Sequence, residues 1–468
     1  MQTGPITEDR LRARRFIGLA VGSLLVAGLL SLALVLGRTP GLDRLAGDPL
    51  LFKRALVVHV VLALVVWFHA FTAGLHALLP GRRSGFAARH APFLSAAGLL
   101  ALLAAPLVPG AQPVLSNYIP VVDHPLFLLG LGLFAAGVLL SLLDSRLLPS
   151  LAPAPRPGLL TPSAQIGLRS AGLLLVVALA TLLASWVNTP ALPDPLLYYE
   201  LLFWGTGHVL QFASVAAMLA IWLALVEGAL ERPLLSRSRA TFLFALLATP
   251  ALVGLVLPSG GTGSALYREG FTTLMRWGIF PVVGVVLAVC VRGVWRSPVR
   301  KTDPRLLTFF ASASLSVLGF LLGAMIRGSN TLVPAHYHAS IGAVSAAFMG
   351  FTFLLLEPLG LRRLSGRALR LARWQPLLFG AGQAVFALGF GLAGAHGMGR
   401  KVYGAEQVRR TFAETLGLGV MAVGGLAAVA GGLLFLGLVV RAWIAADRRS
   451  NTLGDTAWIH KASTPSRS

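Results

Sequence analysis

The chain has 468 residues, 56% of them apolar and only 12% charged, with a mean hydropathy of +0.77. A soluble chain of this length carries about 25% charged residues and divides into about three domains, so this composition implies the bilayer as solvent; a single cysteine, Cys290, excludes a disulfide scaffold. The net charge of +22 does not point to nucleic acid, because Lys and Arg gather in alternate short loops, as the positive-inside rule requires of a chain that crosses the membrane repeatedly.

Basic residues Arg10 to Arg15 precede the first apolar run, 16–37. That run is too long for the apolar region of a cleaved signal, and no small-residue cleavage site follows, so it reads as a first membrane helix. Further runs long enough to span lie at 51–79, 92–109, 125–148, 165–187, 197–226, 240–257, 271–294, 305–326, 332–361, 375–395 and 416–444. The breaks carry Pro, Gly or charge, as in Pro80-Gly81-Arg82-Arg83, Pro153 to Pro157 and Pro258 to Gly263. The expected fold class is an all-α polytopic membrane protein of about twelve transmembrane helices. One membrane domain covers 1–446, and 447–468 is a polar cytoplasmic tail, disordered by composition. Broken helices paired in symmetric halves, the mark of a transporter, are missing.

The N-terminus and every second loop hold 28 of the 39 Lys and Arg residues. This puts the N-terminus in the cytoplasm and, with an even number of helices, the C-terminus too. One segment breaks the pattern. Between the eleventh and twelfth runs, on the outer side, stand Arg400, Lys401, Arg409 and Arg410, and such an exception needs a local anionic partner.

Ionisable side chains within a membrane are costly and are functional candidates by default. Of ten histidines, His59 lies about eight residues into the second run, His208 about eleven into the sixth, and His336 and His338 about four and six into the tenth. All four fall in the outer half of the membrane. In Pro334-Ala335-His336-Tyr337-His338 the two imidazoles stand at i and i+2, about 200° apart on a helix, so they serve two sites, one on each flank. Imidazole is a common axial ligand of haem iron, and a haem on each flank accounts for the small residues Ala339, Ser340, Gly342 and Ala343. The plainer reading is a set of hydrogen-bonded packing histidines, and it holds equally for His59 and His208 taken singly. Gly205 and Gly207 permit close approach to His208. His69, His76 and His90, toward the cytoplasmic side, read as core or interfacial. His124 and His396 lie near the outer surface, within reach of a haem edge or propionate, and His460 is in the tail.

Twelve helices with histidines in the second and sixth and a His-x-His in the tenth resemble subunit I of the haem-copper oxidase superfamily, terminal oxidases and nitric oxide reductases together. The resemblance covers nearly the whole chain. It is carried by Ala335 to Gly350, AHYHASIGAVSAAFMG, and by Gly397 to Tyr403, GMGRKVY, which is similar to the family's GMPRRY segment. It implies that His59 and His338 are the axial ligands of a low-spin haem, that His336 is the proximal ligand of a high-spin haem, and that Arg400 and Lys401 bind haem propionates. His208, in LLFWGTGHVLQF, matches the helix-6 ligand of the family's distal copper. Two further copper ligands come from a histidine pair in the family's seventh helix, yet no histidine lies between His208 and His336, and Val256 and Leu257 stand near the expected place. The family's helix-6 tyrosine is Phe212 here, and its acidic residue is Leu210.

A complete three-imidazole copper site therefore cannot be built from matching positions. A distal iron with oxygen ligands is the other possibility, and Glu200 and Glu269 are the carboxylates at outer depth. Two functions stay open. The first is an oxidoreductase of a respiratory chain in the bacterial inner membrane, passing electrons from the low-spin to the high-spin haem to reduce oxygen or nitric oxide, with His336, His208 and Glu200 around the reacting centre. The second is a non-catalytic dihaem protein that transfers electrons or senses a gas. With one cysteine no c-type haem is attached, so electrons come from a donor subunit, a soluble cytochrome c or a quinol.

Overall fold

The computed structural model describes residues 7–42, 48–81, 85–144, 147, 159–402 and 407–462, with side chains described as far as Ala446. Arg82 and Arg83 of the first break, Pro153 to Pro157, Tyr403 and the side chains of the tail, His460 included, lie outside what is described. Among the described residues twelve helices are long and apolar enough to cross a membrane. They are α1 (Glu8–Leu36), α2 (Pro49–Ala77), α3 (Phe86–Leu107), α4 (Pro125–Leu142), α5 (Pro162–Asn188), α6 (Pro195–Leu230), α7 (Arg237–Gly260), α8 (Ala265–Trp295), α9 (Pro304–Ala324), α10 (Leu332–Leu355), α11 (Gly366–Ala395) and α12 (Phe412–Ala446). Each contains one of the twelve apolar runs or most of it. In hydrocarbon every backbone amide must be satisfied within the segment, and a helix does this without a partner.

Most helices start earlier than their apolar runs because polar caps set the ends. Asp48, Asp194 and Asp303 each stand before a proline at the first helical position and accept from the amides of Leu50 (2.8 Å), Leu196 (2.9 Å) and Arg305 (2.8 Å). The tenth run overshoots, since α10 stops at Leu355 ahead of Pro358. The C-terminal segment also departs from expectation. Where 447–468 reads as disordered tail, the helix of α12 continues to Ala462, no proline intervening to stop it.

Consecutive helices pack as antiparallel pairs, most extensively α11 with α12, α5 with α6, α3 with α4 and α9 with α10. Glycines set the closest of these seams. A Cβ at Gly389 would meet the amide nitrogen of Met421 at 2.2 Å, one at Gly424 that of Phe386 at 2.2 Å, and one at Gly382 that of Ala428 at 2.3 Å. The spacing of seven between Gly382 and Gly389, repeated in Gly417, Gly424 and Gly431, keeps a flat stripe on each helix, so α11 and α12 meet backbone to backbone.

The helices that carry the candidate histidines are among the most enclosed by others, with α9 as enclosed as α2. In the central window of α6 78% of residues are buried, in α10 72% and in α2 61%, as against 33% in α1 and α8. α2 is interrupted by a π-helical turn, Val61–Val66, two residues past His59, and such turns are frequent at functional sites. Below it Trp67, Phe68 and Phe71 lock onto Phe348 of α10, the last pair stacked at 4.4 Å. Between α3 and α4 the chain forms a small hairpin, β1 (Gln112–Val114) against β2 (Val121–Asp123). The strap between these strands, Leu115 to Pro120, turns inward over the ends of α6 and α10.

Candidate functional site

One cavity of about 440 Å³ runs through the bundle, lined on opposite flanks of α10 by His336 and His338 and reached by His59, Arg38, Arg400 and Lys401. The His-x-His spacing does what helical geometry requires, and glycines of α9 let the His336 flank of α10 approach closely. A Cβ at Gly319 of α9 would meet Ser340 Oγ at 2.4 Å, and one at Gly323 would meet His336 Nδ1 at 2.8 Å.

The orientation of each imidazole follows from its backbone partner. His336 Nδ1 lies 2.7 Å from the carbonyl of Gly319, and His59 Nδ1 lies 2.8 Å from that of Ala27. A carbonyl only accepts, so both Nδ1 atoms carry the proton and donate, which leaves the lone pair on Nε2 of each ring. This is the arrangement by which an outer partner fixes a metal-binding histidine. His338 faces His59 and Gln383, with Phe386 and Phe390 against it at 4.3 and 6.2 Å and the guanidinium of Arg38 5.3 Å over the Phe390 ring. Planar aromatic walls, facing imidazoles and the cations Arg38, Arg400 and Lys401 at the rim supply the donors and the positive charge that a haem and its carboxylates would need.

The rim is built by the loop after α11. Met398 accepts from the amide of Thr331, and Gly399 bridges to Asn330, which ties the loop to the start of α10. Arg400 Nε donates to Ser329 Oγ at 2.9 Å, and Lys401, at φ +63°, turns its ammonium back to the carbonyl of Leu115 at 2.5 Å. Burial, together with the neighbouring Arg400, pushes the Lys401 ammonium below the usual lysine range, with Glu200 acting in the opposite sense. A negative group arriving at this rim would act in the same sense as Glu200, favouring the charged ammonium.

His208 is placed differently. It is buried but is not among the residues that line the cavity. Its Nδ1 donates to the carbonyl of Trp204 at 2.7 Å, so its Nε2 accepts, and the partner is the hydroxyl of Tyr118 at 2.8 Å. Both ring nitrogens are engaged. Among the described residues no three His, Cys, Asp or Glu side chains group as a metal-ion site, so the residues present do not fit a distal copper. Glu200 accepts from the amide of Asn117 and is likewise outside the lining, and Glu269 is exposed on α8. Of the remaining histidines, His124 caps α4, His396 and His90 are exposed, and His69, expected as a core residue, lines the deep end of the cavity.

A profile described as cytochrome c and quinol oxidase polypeptide I matches residues 12–433. The chain belongs to this oxidase family. It is 30% identical to an uncharacterized protein of Aquifex aeolicus over 74% of this chain and 84% of that one, and 26% identical to an uncharacterized protein of Rickettsia prowazekii over 91% and 94%. In fold it is similar to a heme-copper terminal oxidase dimer solved by cryo-electron microscopy, with a TM-score of 0.73 and 17% identity, covering 92% of this chain and 84% of that chain. This oxidase-family chain is thus an integral membrane protein with the family's helix order. Three cavity groups escaped its sequence. Arg38 carried a usable signal, being a basic residue on the sparsely charged side, like Arg400. Tyr118 and Gln383 carried none, since nothing in their spacing marks a loop or a helix face that turns inward.

Proposed function

We propose that this member of the oxidase family is a membrane haem oxidoreductase, with a low-spin haem between His59 and His338 and a high-spin haem on His336, carrying electrons across α10 to reduce oxygen or nitric oxide in a respiratory chain. The observation that carries the reading is the paired orientation of His59 and His336, each with Nδ1 tied to a backbone carbonyl and Nε2 left as a lone pair. When bound, haem supplies one-electron and gas-binding chemistry. The chain's own part is positional. α10 holds two imidazoles on one short stretch of backbone, Phe386 and Phe390 wall the low-spin side, and Arg38, Arg400 and Lys401 supply positive charge for propionates.

Electrons would come from a donor subunit, a soluble cytochrome c or a quinol. The loop charges support cytoplasmic termini in a bacterial inner membrane. A second reading, a non-catalytic dihaem protein for electron transfer or gas sensing, is favoured by one observation, the engagement of both His208 nitrogens. Haem and metal content of the purified protein tests the common part, with two haems per chain expected and fewer overturning it. Stoichiometric consumption of oxygen or nitric oxide by the reduced protein then separates the two readings.

A further inference from the structure

Tyr118 is placed with unusual insistence for a loop residue. Its backbone is left-handed, φ +64°, a conformation that costs a bulky residue on the order of 1 kcal/mol and persists only where the surroundings enforce it. Several ties do so. Arg54 donates to the carbonyl of Ala111, Lys401 to that of Leu115, Asn117 to Glu200, and Ser116 to the carbonyl of Ile119. The ring then lies on α6 where a side chain is lacking, because a Cβ at Gly207 would meet Tyr118 Cβ at 2.3 Å. Trp204 packs edge-on to the ring at 5.5 Å.

The tautomer of His208 decides what this tyrosine offers. With Nδ1–H committed to Trp204, Nε2 is an acceptor, so the single hydroxyl proton of Tyr118 points to His208. The oxygen keeps only its lone pairs for the cavity that Tyr118 lines beside Gly207, Leu210, Gln211 and His336. Burial, reinforced by Tyr337 and Glu200 and opposed by Arg400, raises the phenol well above its ordinary range, so the hydroxyl stays protonated.

We infer that Tyr118, seated on His208, is a polar group of the cavity wall that serves the His336 side, that it stands where a distal metal has no ligands, and that it accepts a hydrogen bond from a small ligand such as water. His208 is a positioning residue, acting through Tyr118. The inference rests on the haem reading above, because it needs a ligand-binding haem on His336.

The test is the C–O stretch of carbon monoxide on the reduced, purified protein. Lone pairs near bound carbon monoxide raise that frequency, and a hydrogen-bond donor lowers it. Tyr118→Phe should shift the band down. His208→Ala should shift it further, because the freed hydroxyl turns and donates, and the double variant should match Tyr118→Phe alone. His208→Gln, which keeps an acceptor, should restore the wild-type band. An unshifted band in Tyr118→Phe, or an upward shift, overturns the inference, as does a His208→Ala effect that persists without Tyr118. Retention of the low-spin spectrum in every variant shows that the site is intact. A wild-type protein that forms no carbon monoxide adduct defeats the haem reading instead.

Discussion

His59 and Arg400 carry the most direct consequences at the scale of single side chains. His59 reaches the cavity from α2 with its lone pair set by Ala27, and the high-spin side depends on a different helix. His59→Ala should therefore abolish the low-spin absorbance while a carbon-monoxide-binding haem remains; survival of the low-spin band removes His59 from the ligand set. Arg400 is held by Ser329 at the rim. Arg400→Gln keeps a hydrogen-bond donor but shortens the side chain and removes the charge, and haem retention under washing should fall roughly tenfold, the scale of one charge-assisted hydrogen bond, with a shifted reduction potential in a redox titration. The paired histidines of α10 were legible in the sequence because an i, i+2 spacing has a geometric meaning that no packing detail alters. His208 was not, since its engagement depends on Tyr118, a residue 90 positions away whose approach is set by a loop conformation and a glycine.

At the scale of elements, the twelve spans were legible because apolar length alone specifies a membrane helix. Their ends were less so, being set by Asp-Pro and Thr-Pro caps that a hydropathy count treats as loop. Seams between helices were not legible at all, since small residues occur on many faces and only contact tells which ones matter. Gly389 and Gly419 of the α11 and α12 pair make the point testable. A side chain at Gly389 meets backbone at 2.2 Å, whereas one at Gly419 meets nothing within 4 Å. Gly389→Leu should lower stability by at least the ~1–3 kcal/mol of an overpacked core, read as an earlier thermal transition with haem loss in detergent. Gly419→Leu should melt with the wild type.

For the whole molecule the charge asymmetry is the basis of the proposed orientation, with cytoplasmic termini, and Cys290 makes it easy to measure. It is wholly buried, so the native protein should resist an impermeant maleimide until denatured, which gives a silent background. Gly263→Cys, between α7 and α8, should then label in intact cells, and Ser238→Cys, at the opposite end of α7, only after permeabilisation. The reverse pattern would invert the topology. The π turn at Val61–Val66 sets a further limit on such a molecule. Above it α2 answers to the cavity through His59, and below it to the aromatic cluster on Phe348. The turn takes up one residue more than an α-helical turn would, so loss of a single residue there would close it to α-helix with both halves still in phase, whereas a further insertion would swing one half of the span about its axis by about 100° while the other stayed still. The two halves are geared together through that wide turn, and descendants of this chain can lose a residue within it but cannot gain one there without turning His59 or Trp67 away from its partners.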